Sequence, residues 1–214
     1  METTVQSAYN QWAETYDDIE NKTRDLDKIA TAKMLSELIT PSTSVLEFGC
    51  GTGKNTEWLA TKTGQLTSVD FSEKMLAKAK EKLSSYKIKF HQADIMQEWP
   101  FDNNKYDVVV CNLILEHVAH LDNVFFQANR VLKQRGHFFI SELHPSKQYL
   151  GAKANFELDK ETISPNCYTH HMSDYFSAAF GNDFICEDLR EWFDDDNNRN
   201  LAPRLVSFLF KKKD

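Results

Sequence analysis

A chain of 214 residues that is 41% apolar can bury one large core, and its net charge of −7 disfavours nucleic acid as a partner, because counterion release needs clustered Lys and Arg. The four cysteines, Cys50, Cys111, Cys167 and Cys186, lack C-x-x-C spacing, which indicates no metal site and predicts free thiols in a reducing compartment. The opening residues Met1 to Asn10 are polar and the longest pure aliphatic run, Val108 to Val110, is too short to span a bilayer, so the expectation is one cytoplasmic domain, monomeric or homodimeric, with no membrane contact.

In chain order, a short helix is predicted near Val5 to Trp12. A second follows from Leu26, Ala30, Met34 and Leu38, with Ile29 and Leu35 beside them, ending before Pro41. From Ser44 the pattern alternates. Strands are expected at Val45–Phe48, Leu66–Val69, Ile88–Phe90, Tyr106–Cys111 and His137–Leu143, and helices at Lys54–Thr63, Ser72–Leu83 and Asp122–Leu132. Ser72 is placed as an N-cap, with Met75, Leu76, Ala79 and Leu83 as the buried face behind it. This alternation predicts an α/β, doubly wound, mostly parallel sheet with helices on both faces. His144 to His171 is irregular and aromatic, and a helix returns near Ser173–Phe180. Strands Phe184–Phe193 and Leu205–Phe210 flank the short connection Asp194–Asn200, so they must pair antiparallel at one edge. The charge runs Asp194–Asp196 and Lys211–Lys213 read as solvated surface.

The segment Glu47-Phe48-Gly49-Cys50-Gly51-Thr52-Gly53-Lys54-Asn55 joins the first of these strands to a helix, where an α/β sheet binds its ligand. A P-loop needs glycine in place of Phe48 and Ser or Thr in place of Asn55. A dinucleotide fold needs G-x-G-x-x-G, and Glu47 would repel a pyrophosphate there. A ligand with an ammonium or sulfonium group would welcome it. Asp70, at the end of the second strand, can accept from both hydroxyls of a ribose. Asp94, after the third, can accept from an adenine amino group, with Phe71, Met75 and Ile95 as apolar walls. The pattern describes adenosine with a cationic amino-acid tail and no phosphate.

Glu47 to Gly53 resembles motif I of the class I S-adenosylmethionine-dependent methyltransferases, small-molecule type, and Val69-Asp70-Phe71-Ser72-Glu73-Lys74-Met75-Leu76 resembles their next motif. Ala93-Asp94-Ile95 with Trp99-Pro100-Phe101, Tyr106-Asp107-Val108-Val109 and Arg130-Val131-Leu132-Lys133 resemble later motifs in the same order, so the likeness spans roughly Tyr9 to Leu143. It implies a three-layer, Rossmann-like sheet of seven strands with an antiparallel carboxy-terminal hairpin. It also implies S-adenosylmethionine as cofactor, with Gly49, Cys50, Gly51 and Gly53 along the methionine portion, Asp70 on the ribose, and Ala93, Asp94 and Ile95 at the adenine. Where the family usually has Pro-Gly-Gly, this chain has Gln134-Arg135-Gly136.

The resemblance divides the single domain into a helical lid over residues 1–40, a cofactor core over 44–143 and an acceptor side over 144–214. Tyr9, Trp12 and Tyr16 are the lid residues expected over the cofactor. Asn112 and Leu113 are expected at the tip of the fourth strand, facing the site. His117 and His144 are the candidate bases for an acceptor that must lose a proton. Tyr168, His170, His171, Tyr175 and Trp192 are candidate acceptor walls, against a plain core reading. The expected activity is in-line methyl transfer to a small molecule. An RNA or protein methyltransferase and a catalytically silent cofactor-binding scaffold are the alternatives.

Overall fold

The computed structural model describes residues 5–152, 155–158, 161–163, 165–195 and 197–214, with backbone alone at 156–158 and 161–163. Met1 to Thr4 of the polar opening segment, Asp196 of the acidic run, and residues 153, 154, 159, 160 and 164 of the irregular stretch lie outside the described residues.

Helices α1 (Val5–Trp12) and α2 (Lys22–Leu35) precede the sheet. The repeating unit then runs β1 (Ser44–Phe48), α3 (Lys54–Lys62), β2 (Gln65–Asp70), α4 (Glu73–Lys82), β3 (Ile88–Gln92), β4 (Tyr106–Asn112), α5 (Asp122–Val131) and β5 (Leu132–Leu143). After β5 come α6 (Pro145–Tyr149), a small hairpin of β6 (Phe156–Leu158) and β7 (Glu161–Ile163), α7 (Met172–Gly181), β8 (Phe184–Trp192) and β9 (Leu205–Lys212). The main sheet has seven strands in the order β3-β2-β1-β4-β5-β9-β8. The first five are parallel, and β9 lies antiparallel between β5 and β8, in register Phe138 with Phe210 and Trp192 with Leu205. The β8–β9 hairpin therefore forms one edge, as the short connection requires. The β6–β7 hairpin falls in the stretch read as irregular, because strands of three residues are too short for alternation to show.

Alternate residues of each strand feed opposite layers. On one face Leu46, Phe48, Val109, Phe138, Ile140, Phe208 and Phe210 pack with Phe125 of α5 and Tyr175 of α7. On the other, Val45, Leu66, Val108, Val110 and Phe139 pack with α2 and α3 through Ala30, Met34, Leu35 and Leu59. Burial on both faces drives the sheet together, at ~25 cal/mol per Å² of apolar surface removed from water.

Local signals explain the ends of the elements. Ser72 caps α4, its hydroxyl accepting from the Met75 N–H at 3.1 Å. Asn21 caps α2 by accepting from Thr23 and Arg24. Gln134-Arg135-Gly136, where the family usually has Pro-Gly-Gly, falls within β5, and Arg135 takes φ 62° there. One helical face differs from expectation: Ile29 is 49% exposed, and Arg24, Asp27 and Thr31 share the buried face of α2 with Ala30, Met34 and Leu35. Asp27 lies three and seven positions before Ala30 and Met34, so the helical period puts a carboxylate on the apolar stripe. All four cysteines are free thiols.

Candidate active site

A cleft opens over the carboxyl ends of the parallel strands, where β1 passes through the glycine loop into α3. The loop is strapped to β2, with the Gly49 and Cys50 N–H groups donating to the Val69 carbonyl at 2.8 and 3.0 Å. Gly49 has φ 76°, and a Cβ there would sit 2.2 Å from Ile114 Cγ2. Gly51 has φ 54°, and a Cβ there would meet nothing within 4 Å. The first glycine lets the backbone pass under Ile114; the second leaves the cleft floor bare. Gly49, Cys50 and Gly51 all line the cleft. Gly53 does not. At φ 91° it precedes α3, and a Cβ would lie 2.7 Å from Leu83 Cδ1, so its work is close packing of α3 against α4.

The three acids expected at the strand tips all line the cleft. Glu47 is 2% exposed and its Oε2 accepts from the Thr56 and Ser68 hydroxyls at 2.7 and 2.8 Å. Burial pushes its pKa up to about 7 against the pull of those two hydrogen bonds. Asp70 accepts from Gly51 N–H through Oδ2 and from Ser72 N–H through Oδ1, both at 2.8 Å. Each oxygen keeps a lone pair for a ligand, and burial raises the carboxyl to about 6 despite the backbone bonds. Asp94 accepts from Met96 N–H at 2.9 Å through Oδ1. Phe71, Met75, Ala93 and Ile95 wall the same end of the cleft.

The segment formed by helix α1 and the turn after it covers the opening with Val5, Tyr9 and Tyr16. It is tied down by polar contacts. Gln6 donates to the Phe71 carbonyl at 3.0 Å, the Ser72 hydroxyl donates to Asn10 Oδ1 at 2.7 Å, and the Thr52 hydroxyl donates to Asp17 at 2.6 Å. Trp12, expected over the cofactor, does not line the cleft. It packs behind, 4.7 Å from the Tyr16 ring and in an apolar cluster with Ala8, Ala13 and Met75.

Asn112 ends β4, and Leu113 begins the following turn at φ 54° rather than ending the strand; both line the cleft. His117, in the same turn, places Nδ1 2.9 Å from the Asn166 carbonyl and Nε2 2.9 Å from the Tyr9 hydroxyl. A carbonyl only accepts, so Nδ1 carries a proton and Nε2 is the ring atom turned to the Tyr9 hydroxyl. Burial raises the Tyr9 hydroxyl well above its usual pKa, so Tyr9 donates and stays protonated.

His144 is not part of the cleft. β5 ends at Leu143 and the chain turns into α6, where His144 is the N-cap, accepting from Ser146 N–H. Its Nε2 lies 3.1 Å from Glu191, and burial lowers its pKa. Tyr175 stacks on Phe208 at 4.8 Å and Trp192 donates to the Ser207 hydroxyl, so both belong to the core. Tyr168, His170 and His171 border a separate polar depression with Ala119–Asp122, Asp174, Ser177 and Ala178.

Among the cleft and wall residues that escaped the sequence reading, four polar ones stand out. Arg24, Asp27 and Asn55 line the cleft. Glu142, 2% exposed, lies behind it on β5, where its Oε1 accepts from the Ile114 and Leu115 N–H groups at 2.9 Å each. This one oxygen shapes the turn that carries Ile114 onto Gly49. The available signals were a carboxylate on the apolar stripe of α2 and, for Glu142, an acid at a strand end like Glu47 and Asp70.

Residues 46–140 match the Methyltransferase domain family. Malonyl-[acyl-carrier protein] O-methyltransferase 2 of Coxiella burnetii is 31% identical over 134 residues, 62% of this chain and 53% of that one. Demethylmenaquinone methyltransferase of Staphylococcus aureus is 39% identical over 98 residues, covering 44% and 40%. The chain thus spans about half the length of these curated relatives or less. The crystal structure of an S-adenosylmethionine-dependent methyltransferase from Clostridium acetobutylicum superposes with a TM-score of 0.71 at 20% identity, over 96% of this chain and 99% of that one, a likeness of fold. The seven-stranded sheet with its antiparallel β9 has the fold of the class I S-adenosylmethionine-dependent methyltransferases, and the matched domain falls on the part of it that carries the glycine loop, so the findings support that superfamily and S-adenosylmethionine as its cofactor. Among the described residues, no helix is long and apolar enough to cross a membrane.

Proposed function

We propose that the protein transfers the methyl group of S-adenosylmethionine to a small molecule whose acceptor atom carries a proton. The observation that carries this reading is the bare floor at Gly51 between acids at three successive strand tips, Glu47, Asp70 and Asp94. Asp70 takes the ribose hydroxyls, Asp94 and Ile95 meet the adenine edge, and Phe71, Met75 and Ala93 wall the base. Gly49, Cys50 and Gly51 follow the methionine portion, and Tyr9, Tyr16, Asn112, Leu113 and His117 surround the transfer end. The cofactor, when bound, supplies an electrophilic methyl on a sulfonium. The chain's own residues hold acceptor and donor in line, exclude water under α1, and take the proton.

His117 is the group for that proton. Its Nδ1–H is committed to Asn166, which fixes the lone pair on Nε2 at the Tyr9 hydroxyl, and Tyr9 can pass a proton along that bond. Two cations line the cleft: Arg24 donates to the Tyr16 and Ile19 carbonyls and keeps a buried Nε–H without a partner, and Lys54 pairs with Asp25. Relatives named for a malonyl group on a carrier protein and for demethylmenaquinone support a small acceptor and leave its identity to experiment.

Titration of the chain with S-adenosylmethionine tests the reading. Binding is expected, and Asp70→Ala should weaken it by about 1.5–3 kcal/mol, the range for a hydrogen bond to a charged group. Failure of the unaltered chain to bind would overturn the assignment. In turnover with neutral acceptors, His117→Ala should lower the rate at unchanged S-adenosylhomocysteine affinity.

A further inference from the structure

Helix α2 places Asp27, 2% exposed, where three elements meet at the cleft. Its Oδ1 accepts from Asn112 Nδ2 of β4 at 2.8 Å, and its Oδ2 accepts from Asn55 Nδ2 of α3 at 2.7 Å. Each amide turns its Nδ2 to this carboxylate, that of Asn112 donating also to the Thr31 hydroxyl at 2.8 Å, so each is left presenting its oxygen. Both oxygens, Asn55 Oδ1 and Asn112 Oδ1, are buried without a donor, and Asn112 is only 8% exposed. A buried acceptor with no donor costs about 1–3 kcal/mol, and here two such atoms flank one carboxylate at the edge of one cavity. The cluster lacks N–H donors.

A primary ammonium supplies three N–H donors and a positive charge on one atom. We propose that Asp27, together with Asn55 Oδ1 and Asn112 Oδ1, is the seat for the ammonium of the cofactor's amino-acid tail, an inference that rests on the methyltransferase reading above. The same end of the cleft is lined by Arg24 and Lys54, cations that suit the carboxylate of a zwitterionic tail. Asp27 is then what distinguishes the full cofactor from a bare thionucleoside.

Two ligands with the same nucleoside and sulfur separate this from a general role in folding. S-adenosylhomocysteine carries the amino-acid tail, and 5′-methylthioadenosine lacks it. Calorimetry with the purified protein should show Asp27→Asn weakening S-adenosylhomocysteine at least about tenfold, as loss of a charge-assisted bond predicts, with 5′-methylthioadenosine affinity unchanged. Asn55→Ala, at the helix start and away from the core, should shift the same ratio in the same direction and serves if Asp27→Asn does not fold. Equal weakening of both ligands, or of neither, would overturn the assignment while leaving the cofactor site in place. Should the unaltered chain bind neither ligand, the methyltransferase reading itself falls and takes this seat with it.

Discussion

Helix α1 covers the cleft and strand β5 lies behind its wall, and they are held by different means. β5 lies between β4 and β9 with Phe138, Phe139 and Ile140 fully buried. α1 buries Ala8 and Trp12 and otherwise depends on Gln6, Tyr9 and Asn10 reaching the core by hydrogen bonds. Apolar burial on two faces makes the floor part of the global folding unit, whereas a few part-exposed polar ties, each worth about 0.5–1.5 kcal/mol, let a cover open locally. A floor that keeps its shape and a cover that lifts are what a site needs when it must admit two ligands and then exclude water.

The largest expected effect lies in the floor. Gly49→Ala would force a Cβ to within 2.2 Å of Ile114 Cγ2 at φ 76°, and should cost about 2–4 kcal/mol by overpacking and left-handed strain, read by chemical denaturation. Gly51→Val is the contrast: with nothing within 4 Å of its Cβ, it should cost about 1–2 kcal/mol of strain alone yet abolish cofactor binding. If the two variants lost stability equally, the distinction between a packed and an open glycine would be wrong.

A smaller effect concerns pH. Burial raises the Glu142 carboxyl from 4.5 to about 8, with the nearby Glu116 adding to the rise and the Ile114 and Leu115 N–H groups opposing it. The folded chain then holds a proton that the unfolded chain releases, so stability is full below the unfolded value and declines as pH rises toward 8. Glu47 acts in the same direction up to about 7. His144, whose pKa is lowered from 6.5, acts oppositely but only below that value. Melting temperature should therefore fall between pH 6.5 and 8, and Glu142→Gln, which keeps an acceptor oxygen for both N–H groups, should flatten the slope. A slope unchanged in that variant would remove Glu142 as its cause.

The smallest effect belongs to the cover. Tyr9→Phe removes the bond to His117 Nε2, worth about 1 kcal/mol, and should leave the global melting temperature nearly unchanged. Amide exchange in Val5–Trp12 should nevertheless quicken by roughly fivefold, the equivalent of that energy. Uniform quickening across β4 and β5 would show that cover and floor open together.

The alternation of short apolar runs with amphipathic stretches was enough to predict the doubly wound sheet, because periods of 2 and 3.6 are local properties of the chain. The antiparallel edge followed from the short Asp194–Asn200 connection, since so few residues permit only one strand direction. Glu47, Asp70, Asp94 and the bare Gly51 were legible for a related reason: the carboxyl ends of parallel strands gather at one side of the sheet.

What required the tertiary structure was which side chains from distant segments share that space. Glu142 and His144 stand two positions apart and share one parity, yet β5 stops at Leu143 and the turn into α6 swings His144 onto Ser146 and Glu191. Asp27, on a helix that precedes the whole sheet, reaches the cleft because α2 packs across β1, β4 and β5. Gly53, though part of the glycine run, is turned against Leu83 instead of the cleft. Side-chain direction at an element's end depends on where the next element docks, and docking is decided by burial summed over the whole chain, which no local window of sequence contains.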